Sequence, residues 1–317
     1  MTLCMAPLRG VTDYIFRNAF TEHFGGFDSA MAPFIPTVRG KIVKQSHIRD
    51  ILPENNQNLP LIPQLIGKNP EEFVILACQL GDMGYPVINW NLGCPFPQVT
   101  HKKRGAGLLP FRDTIAAFLD YVIPRLNCKL SIKTRLGLTG SDDLPALLPI
   151  LNGYPLAELI IHPRTAQQMY TGTTDLDAFA RVSGLSKHPV MYNGDITTYA
   201  GFSRMKQRFP DISSWMIGRG AVINPFLPME IKNGAGASYD RQRLCSFITA
   251  LYDSYTTIMD NDVNVLDKMK GIWFYTAELF ADSHQILKKI QKSKHLAGYC
   301  KEVTAIFELE PLKEALH

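Results

Sequence analysis

The chain has 317 residues, 46% of them apolar and 20% charged, enough for one large α/β unit and a smaller one with a true core. No apolar stretch approaches the ~20 residues needed to cross a bilayer, and the opening Met1-Thr2-Leu3-Cys4-Met5-Ala6-Pro7 reads as a first strand rather than an export leader, so a cytoplasmic location is expected. A formal charge of +4 permits a polyanionic partner without requiring one, and six scattered cysteines with no CxxC pair argue against a zinc site or a redox dithiol.

Up to about residue 230, short apolar runs alternate with helical stretches. The predicted strands are Leu3–Pro7, Ser29–Ile35, Leu59–Gly67, Val87–Leu92, Lys129–Arg135, Ala157–His162, Pro189–Asn193 and Ser214–Gly218. Helices are predicted between them, for example over Pro70–Met83 and Thr114–Leu126. The second carries Ile115, Phe118, Leu119 and Val122 at i, i+3, i+4, i+7, one amphipathic stripe. Eight such βα units predict an α/β fold, a (β/α)8 TIM barrel. The competing doubly wound sheet is weakened because no GxGxxG follows the first strand. Lys232-Asn233-Gly234-Ala235-Gly236-Ala237-Ser238 reads as a linker. It sets the expected domains at 1–235 for the catalytic barrel and 236–317 for a small helical domain. Within that domain Arg241–Met259, Val265–Phe280 and His284–Gln291 read as helices.

A barrel keeps its active site at the C-terminal ends of its strands. Polar residues that end apolar runs are therefore the informative ones: Gln64, Asn91, Lys133, His162, Asn193, and Gly218 with Arg219. The last two loops, Asn193-Gly194-Asp195 and Gly218-Arg219-Gly220, sit where barrels commonly hold a phosphate. Their glycines either let backbone N–H groups approach an anion or simply make tight turns. The implied ligand is a phosphorylated small molecule or cofactor.

Lys133 follows Ile132 on an inner strand, and a buried ammonium is costly unless it is paired. A flavin ring offers it a partner at the N1–C2 carbonyl edge, where charge gathers on reduction; a salt bridge across the barrel interior is the other reading. Cys94 lies in a strand-end loop between glycine and proline, ahead of the basic run Lys102-Lys103-Arg104. There a thiol can act as general acid toward carbon while hydride arrives on the opposite face, though a lone cysteine also serves as a small core residue.

Met5-Ala6-Pro7, Val11-Thr12-Asp13 with Phe16-Arg17, Pro63-Gln64-Leu65-Ile66-Gly67 and Asn91-Leu92-Gly93-Cys94-Pro95 resemble the motifs of the tRNA-dihydrouridine synthases. So do Lys133-Thr134-Arg135-Leu136-Gly137, His162-Pro163-Arg164-Thr165, Asn193-Gly194-Asp195-Ile196 and Ile217-Gly218-Arg219-Gly220, all in family order. The resemblance implies FMN as cofactor, NADPH as reductant and tRNA uridine as substrate. By motif, FMN is expected at Pro7, Leu8, Gln64, Asn91, Lys133, His162, Asn193, Gly194, Asp195, Gly218 and Arg219, with Arg9 alongside. Cys94 matches the family's proton donor to C5 of uracil. Two departures, Phe96-Pro97-Gln98 after the Cys-Pro pair and Pro163 after the histidine, suggest a divergent bacterial branch and a different meeting of the loop with RNA.

RNA contact is expected at Lys102, Lys103, Arg104 and Arg164, and in the tail at Lys288, Lys289, Lys292 and Lys294. Lys288 and Lys292 share a helix face at i, i+4. Such patches bind phosphates by releasing counterions; they also occur as plain solvated faces. Phe96 and Tyr170 are candidates to stack on a base turned out of the folded RNA. A monomer is expected, with tRNA as partner and no metal or membrane. The competing functions are an FMN barrel reductase of a small pyrimidine, similar to dihydroorotate dehydrogenase, a tRNA-binding protein without catalysis, and a phosphate-binding isomerase barrel. The basic helical extension separates the first rival, because a small substrate has no use for it.

Overall fold

The chain enters its sheet at the second residue. The strands are β1 (Thr2–Met5), β2 (Ser29–Met31), β3 (Ile35–Pro36), β4 (Leu61–Ile62), β5 (Gln64–Ile66), β6 (Val87–Leu92), β7 (Lys129–Gly137), β8 (Leu159–Thr165), β9 (Val190–Asn193) and β10 (Ser214–Ile217). All pairings are parallel, in the order β3-β5-β6-β7-β8-β9-β10-β1-β2-β4. The structure is a computed structural model that describes residues 1–38, 45–234 and 239–313.

The two ends of that order meet. β4 and β5 are one stretch of chain interrupted only at Pro63, and β2 and β3 flank Ala32-Pro33-Phe34. Backbone bonds from Ala32 N to Ile62 O (3.0 Å) and from Thr37 N to Ile66 O (2.9 Å) carry the pairing across both breaks. The sheet thus closes into a barrel of eight βα units. The predicted strands Ser29–Ile35 and Leu59–Gly67 are each split because proline has no N–H for the ladder.

Alternation along each strand sorts the two faces. On β1, Leu3 and Met5 pack outward against the helices, while Cys4 and the following Ala6 point inward to Met31, Ile160, Met191 and Met216. Burial on both faces is why these strands read as continuous apolar runs rather than alternating ones.

The helices of the barrel are α1 (Tyr14–His23), α2 (Gln45–Ile51), α3 (Pro70–Asp82), α4 (Pro97–Thr100), α5 (Arg112–Val122), α6 (Asp143–Leu151), α7 (Leu176–Leu185), α8 (Tyr199–Arg208), α9 (Arg219–Ile223) and α10 (Leu227–Asn233). Asp13, Asn69, Asp175 and Thr198 cap α1, α3, α7 and α8 by accepting a first-turn N–H. α5 buries all four residues of the predicted stripe but stops at Val122, where Ile123–Arg125 tightens into a 3₁₀ turn around Pro124.

The tail holds α11 (Arg241–Ile258), α12 (Asp262–Thr276), α13 (Ser283–Lys292) and α14 (Leu296–Leu309), the last a helix whose limits the sequence reading did not draw. The expected domain boundary at 235/236 lies outside the described residues. The tail packs directly on the barrel: Phe247 of α11 meets Phe16, Phe20 and Phe24 of the first βα unit in edge-on contacts. Asp13 accepts from Tyr255 (2.8 Å) and pairs with Lys268 (2.6 Å), tying α11 and α12 to the start of α1. No helix among the described residues is long and apolar enough to cross a membrane.

Candidate active site

The C-terminal strand ends surround a cavity of about 390 Å³. Pro7, Leu8 and Arg9 reach it from the end of β1, Gln64 from β5, Asn91 and Cys94 from the end of β6, and Lys133 from β7. His162 comes from β8, Asn193, Gly194 and Asp195 from the end of β9, and Gly218 and Arg219 from the end of β10. The residues expected at the cofactor, together with Cys94, therefore line one space. Parallel strands deliver their C-terminal ends to the same rim, so a polar residue closing an apolar run points there by construction.

A thread of amides runs beneath the rim. Asn91 Oδ1 accepts the backbone N–H of Gly93 (3.0 Å) and of Cys94 (2.8 Å). Asn91 Nδ2 donates to Gln64 Oε1 (2.8 Å), Gln64 Nε2 donates to Asn89 Oδ1 (2.8 Å), and Asn89 Nδ2 donates to Ser131 Oγ (2.9 Å). The side-chain links are all buried, so the thread fixes both the amide orientations and the loop bearing the thiol. Burial pushes the Cys94 thiol above its ordinary value, although the Phe96 backbone N–H and the charges of Arg135, Arg9 and Lys133 pull against it. The sulfur is thus a thiol, a proton source, at neutral pH.

Lys133 has no hydrogen-bond or carboxylate partner among the described residues, which removes the salt-bridge reading. Burial, with Arg135 close by, brings its ammonium down to about 7. His162 is held far below its usual value by burial and by Arg135, Lys133, Arg164 and Arg219, so its ring is neutral. Arg164 can only donate to His162 Nε2 (3.2 Å), which leaves the ring proton on Nδ1.

Arg164 corrects the expectation of an RNA contact. Its side chain is 2% exposed and forms a bidentate pair with Asp195 (2.9 and 2.5 Å), with further bonds to Thr171 O and Gly172 O. No donor is left for a phosphate. Arg219 also reaches Asp195, at 3.2 Å, sharing Oδ1 with Arg164. The two arginines keep Asp195 in a left-handed conformation, φ +46°, that a non-glycine residue rarely adopts. Two loop glycines answer to packing: a Cβ on Gly220 would sit 2.0 Å from Ile196 O, and one on Gly194 would sit 2.8 Å from Thr174 Cγ2.

The remaining basic residues lie outside the cavity. Lys102 and Lys103 are exposed on the loop beyond Cys94, with Lys103 4.2 Å from the Phe111 ring. Arg104 is half-buried, its Nε without a partner. Lys288, Lys289 and Lys292 are exposed on α13 with Lys294 just past it, and Lys289 pairs with Glu310 at 2.9 Å. Among the lining residues that the sequence reading gave no cavity role are Phe34, Arg135, Phe274 and Tyr275. Arg135 shares the face of Lys133 two residues on, so the strand period could have found it. Phe274 and Tyr275 come from α12, and nothing local marks them.

The family model described as dihydrouridine synthase matches residues 4–315. The tRNA-dihydrouridine(16) synthase of Ralstonia nicotianae is 25% identical over 320 residues, covering 96% of this chain and 96% of its own. That of Pseudomonas putida is 31% identical over 243 residues, 73% of each chain. Among solved structures, histamine dehydrogenase from Rhizobium sp. 4-9 aligns at TM-score 0.55 and 11% identity over 78% of this chain and 48% of its own. A morphinone reductase aligns at TM-score 0.51 and 11% identity over 74% and 87%; at such identity these show a shared barrel fold. The family match runs through barrel and tail alike, and the chain belongs to the dihydrouridine synthase family.

Proposed function

We propose that the protein reduces the C5–C6 double bond of uracil in tRNA, using FMN and NADPH, with Cys94 as the proton donor. One observation carries the reading: the Cys94 thiol and the Lys133 side chain, which has no hydrogen-bond or carboxylate partner among the described residues, face the same cavity at the barrel mouth.

The residues present fit FMN. An electron-rich carbonyl edge would satisfy Lys133 and restore the charge that burial weakens. Pro7, Leu8, Gln64, Lys133 and His162 would hold the ring, while Asn193, Gly194, Asp195, Gly218 and Arg219 would hold the phosphate end. When bound, FMN supplies the hydride for C6. Cys94 supplies the proton for C5 and becomes a thiolate, which the charges of Arg135, Arg9 and Lys133 stabilise until solvent returns the proton. Asn91 keeps the thiol in place by holding the loop backbone, and His162 remains a neutral hydrogen-bonding group.

The curated relatives above are named for position 16 of tRNA, so position 16 is where the product is expected. The presence of α12 side chains at the cavity favours a large substrate over a free pyrimidine. Mapping dihydrouridine in tRNA from cells with and without this gene tests the reading. Unchanged tRNA would overturn it, as would release of FAD instead of FMN on denaturing the purified protein.

A further inference from the structure

Aromatic exposure is concentrated at the cavity rim. Among the described residues the aromatic side chains most open to solvent are Phe274 (58%), Phe96 and Tyr170 (41% each) and Phe111 (38%). The first three line the cavity. Phe111 is covered by the Lys103 ammonium, and the Tyr170 ring carries the guanidinium groups of Arg219 at 4.6 Å and Arg135 at 5.3 Å. Phe274 has one ring contact among the described residues, edge-on with Tyr275 at 5.1 Å, and Phe96 has none. Two uncovered phenylalanine rings therefore border one opening. One comes from the barrel loop after the thiol, the other from α12 of the tail.

Exposed rings that border one opening mark a contact surface, and an aromatic face packs well against another flat face. The charge around them identifies that partner. The lining carries Arg9, Lys133, Arg135 and Arg219 against one carboxylate, Asp195, which two arginines already hold. Flat, apolar faces on an anionic chain are those of unstacked nucleotides. A uridine drawn out of folded RNA also leaves the bases on either side with uncovered faces. Aromatic side chains replace that lost stacking without regard to base identity.

We infer that Phe274 and Phe96 stack on the nucleotides adjoining the target uridine and hold the RNA strand open across the mouth. The inference rests on the reading that this chain reduces uridine in RNA. It gives the helical tail a part at the reaction centre itself, beyond any attraction of phosphates by its lysines.

The test uses purified flavin-loaded enzyme. tRNA binding is measured at several salt concentrations, and single-turnover oxidation of the reduced enzyme by tRNA is followed in parallel. Phe274→Ala and Phe96→Ala should each weaken tRNA binding by roughly 5- to 100-fold, the span of base–aromatic stacking. The salt slope should stay that of the wild type, because no phosphate contact is lost. Phe274→Trp should restore affinity, and Phe274→Leu should restore only part, since leucine is apolar but not flat. Binding within twofold of wild type in both alanine variants would overturn the inference. So would full rescue by leucine, which would make the rim a generic apolar cover. Slower reduction by NADPH with unchanged tRNA affinity would assign the rim to the reductant instead. If tRNA fails to oxidise the wild type, the underlying reading falls; if it oxidises wild type and variants alike, only this inference does.

Discussion

The side-chain oxygen of Asn91 accepts the backbone N–H of Cys94 at 2.8 Å, and the same asparagine is pinned from below by Gln64. A residue at a strand end thus orients a thiol three positions later. The thiol needs such help: it sits in a loop, and one turn of the Gly93 backbone would carry it away from the mouth.

Cys94→Ala should bind FMN, accept hydride from NADPH and bind tRNA much as the wild type does. Reoxidation by tRNA should slow by about 10²–10⁴-fold, the contribution of a positioned acid. Cys94→Ser should recover little, because a hydroxyl is a far weaker acid. Single-turnover oxidation reads this directly, and wild-type rates in the alanine variant would remove Cys94 from the chemistry.

Lys133 predicts a pH effect on the flavin-free protein. Its folded value is about 7 against 10.5 for an ordinary lysine. Between these values the unfolded chain binds more protons than the folded one, so stability rises as pH climbs from about 7 toward 10.5. Below about 7 both states are protonated and the full cost of burial is felt. Lys133→Met should abolish this rise and stabilise the apoprotein near neutrality, while weakening flavin retention. Working above pH 7 also keeps clear of Glu158, which burial pushes up to about 7. Denaturant midpoints of both apoproteins across that range check the effect; parallel profiles would contradict it.

Arg164→Ala should behave as a structural lesion. Arg164 is buried but Asp195 is about a third exposed, so losing this pair costs less than the ~3–5 kcal/mol of a fully buried one. It also frees Asp195 and the tautomer of His162. Lower stability and faster FMN loss are expected, with the salt slope of tRNA binding unaltered. Arg164→Lys should rescue poorly, because an ammonium cannot reproduce the bidentate fork. A reduced salt slope would instead return Arg164 to the RNA surface.

On α13, the double change Lys288→Glu and Lys292→Glu should flatten the dependence of tRNA affinity on salt by about one to two units of slope if both lysines meet phosphates. Lys289→Glu should do less, since Glu310 already pairs with it at 2.9 Å. An identical slope in the double variant would mark these lysines as an ordinary solvated face.

The sequence by itself determined the eight βα units, because each strand is a local apolar run and each run ends in a turn residue or a polar one. It also determined that Lys133, His162, Asn193 and Arg219 meet, since parallel strands in a closed barrel carry their C-terminal ends to one rim. The tertiary structure decided which polar groups the protein spends on itself. Arg164 and Lys133 look alike in sequence, each a cation followed by threonine on a strand of the barrel. Asp195, 31 positions further on, pairs with the first, and no carboxylate among the described residues reaches the second. The structure also brought Phe274 and Tyr275 to the mouth, because α12 is held there by Lys268 on Asp13 and by Trp273 on Tyr299. Those are contacts between distant segments, and a helix's own periodicity tells which face is apolar, never what that face will meet.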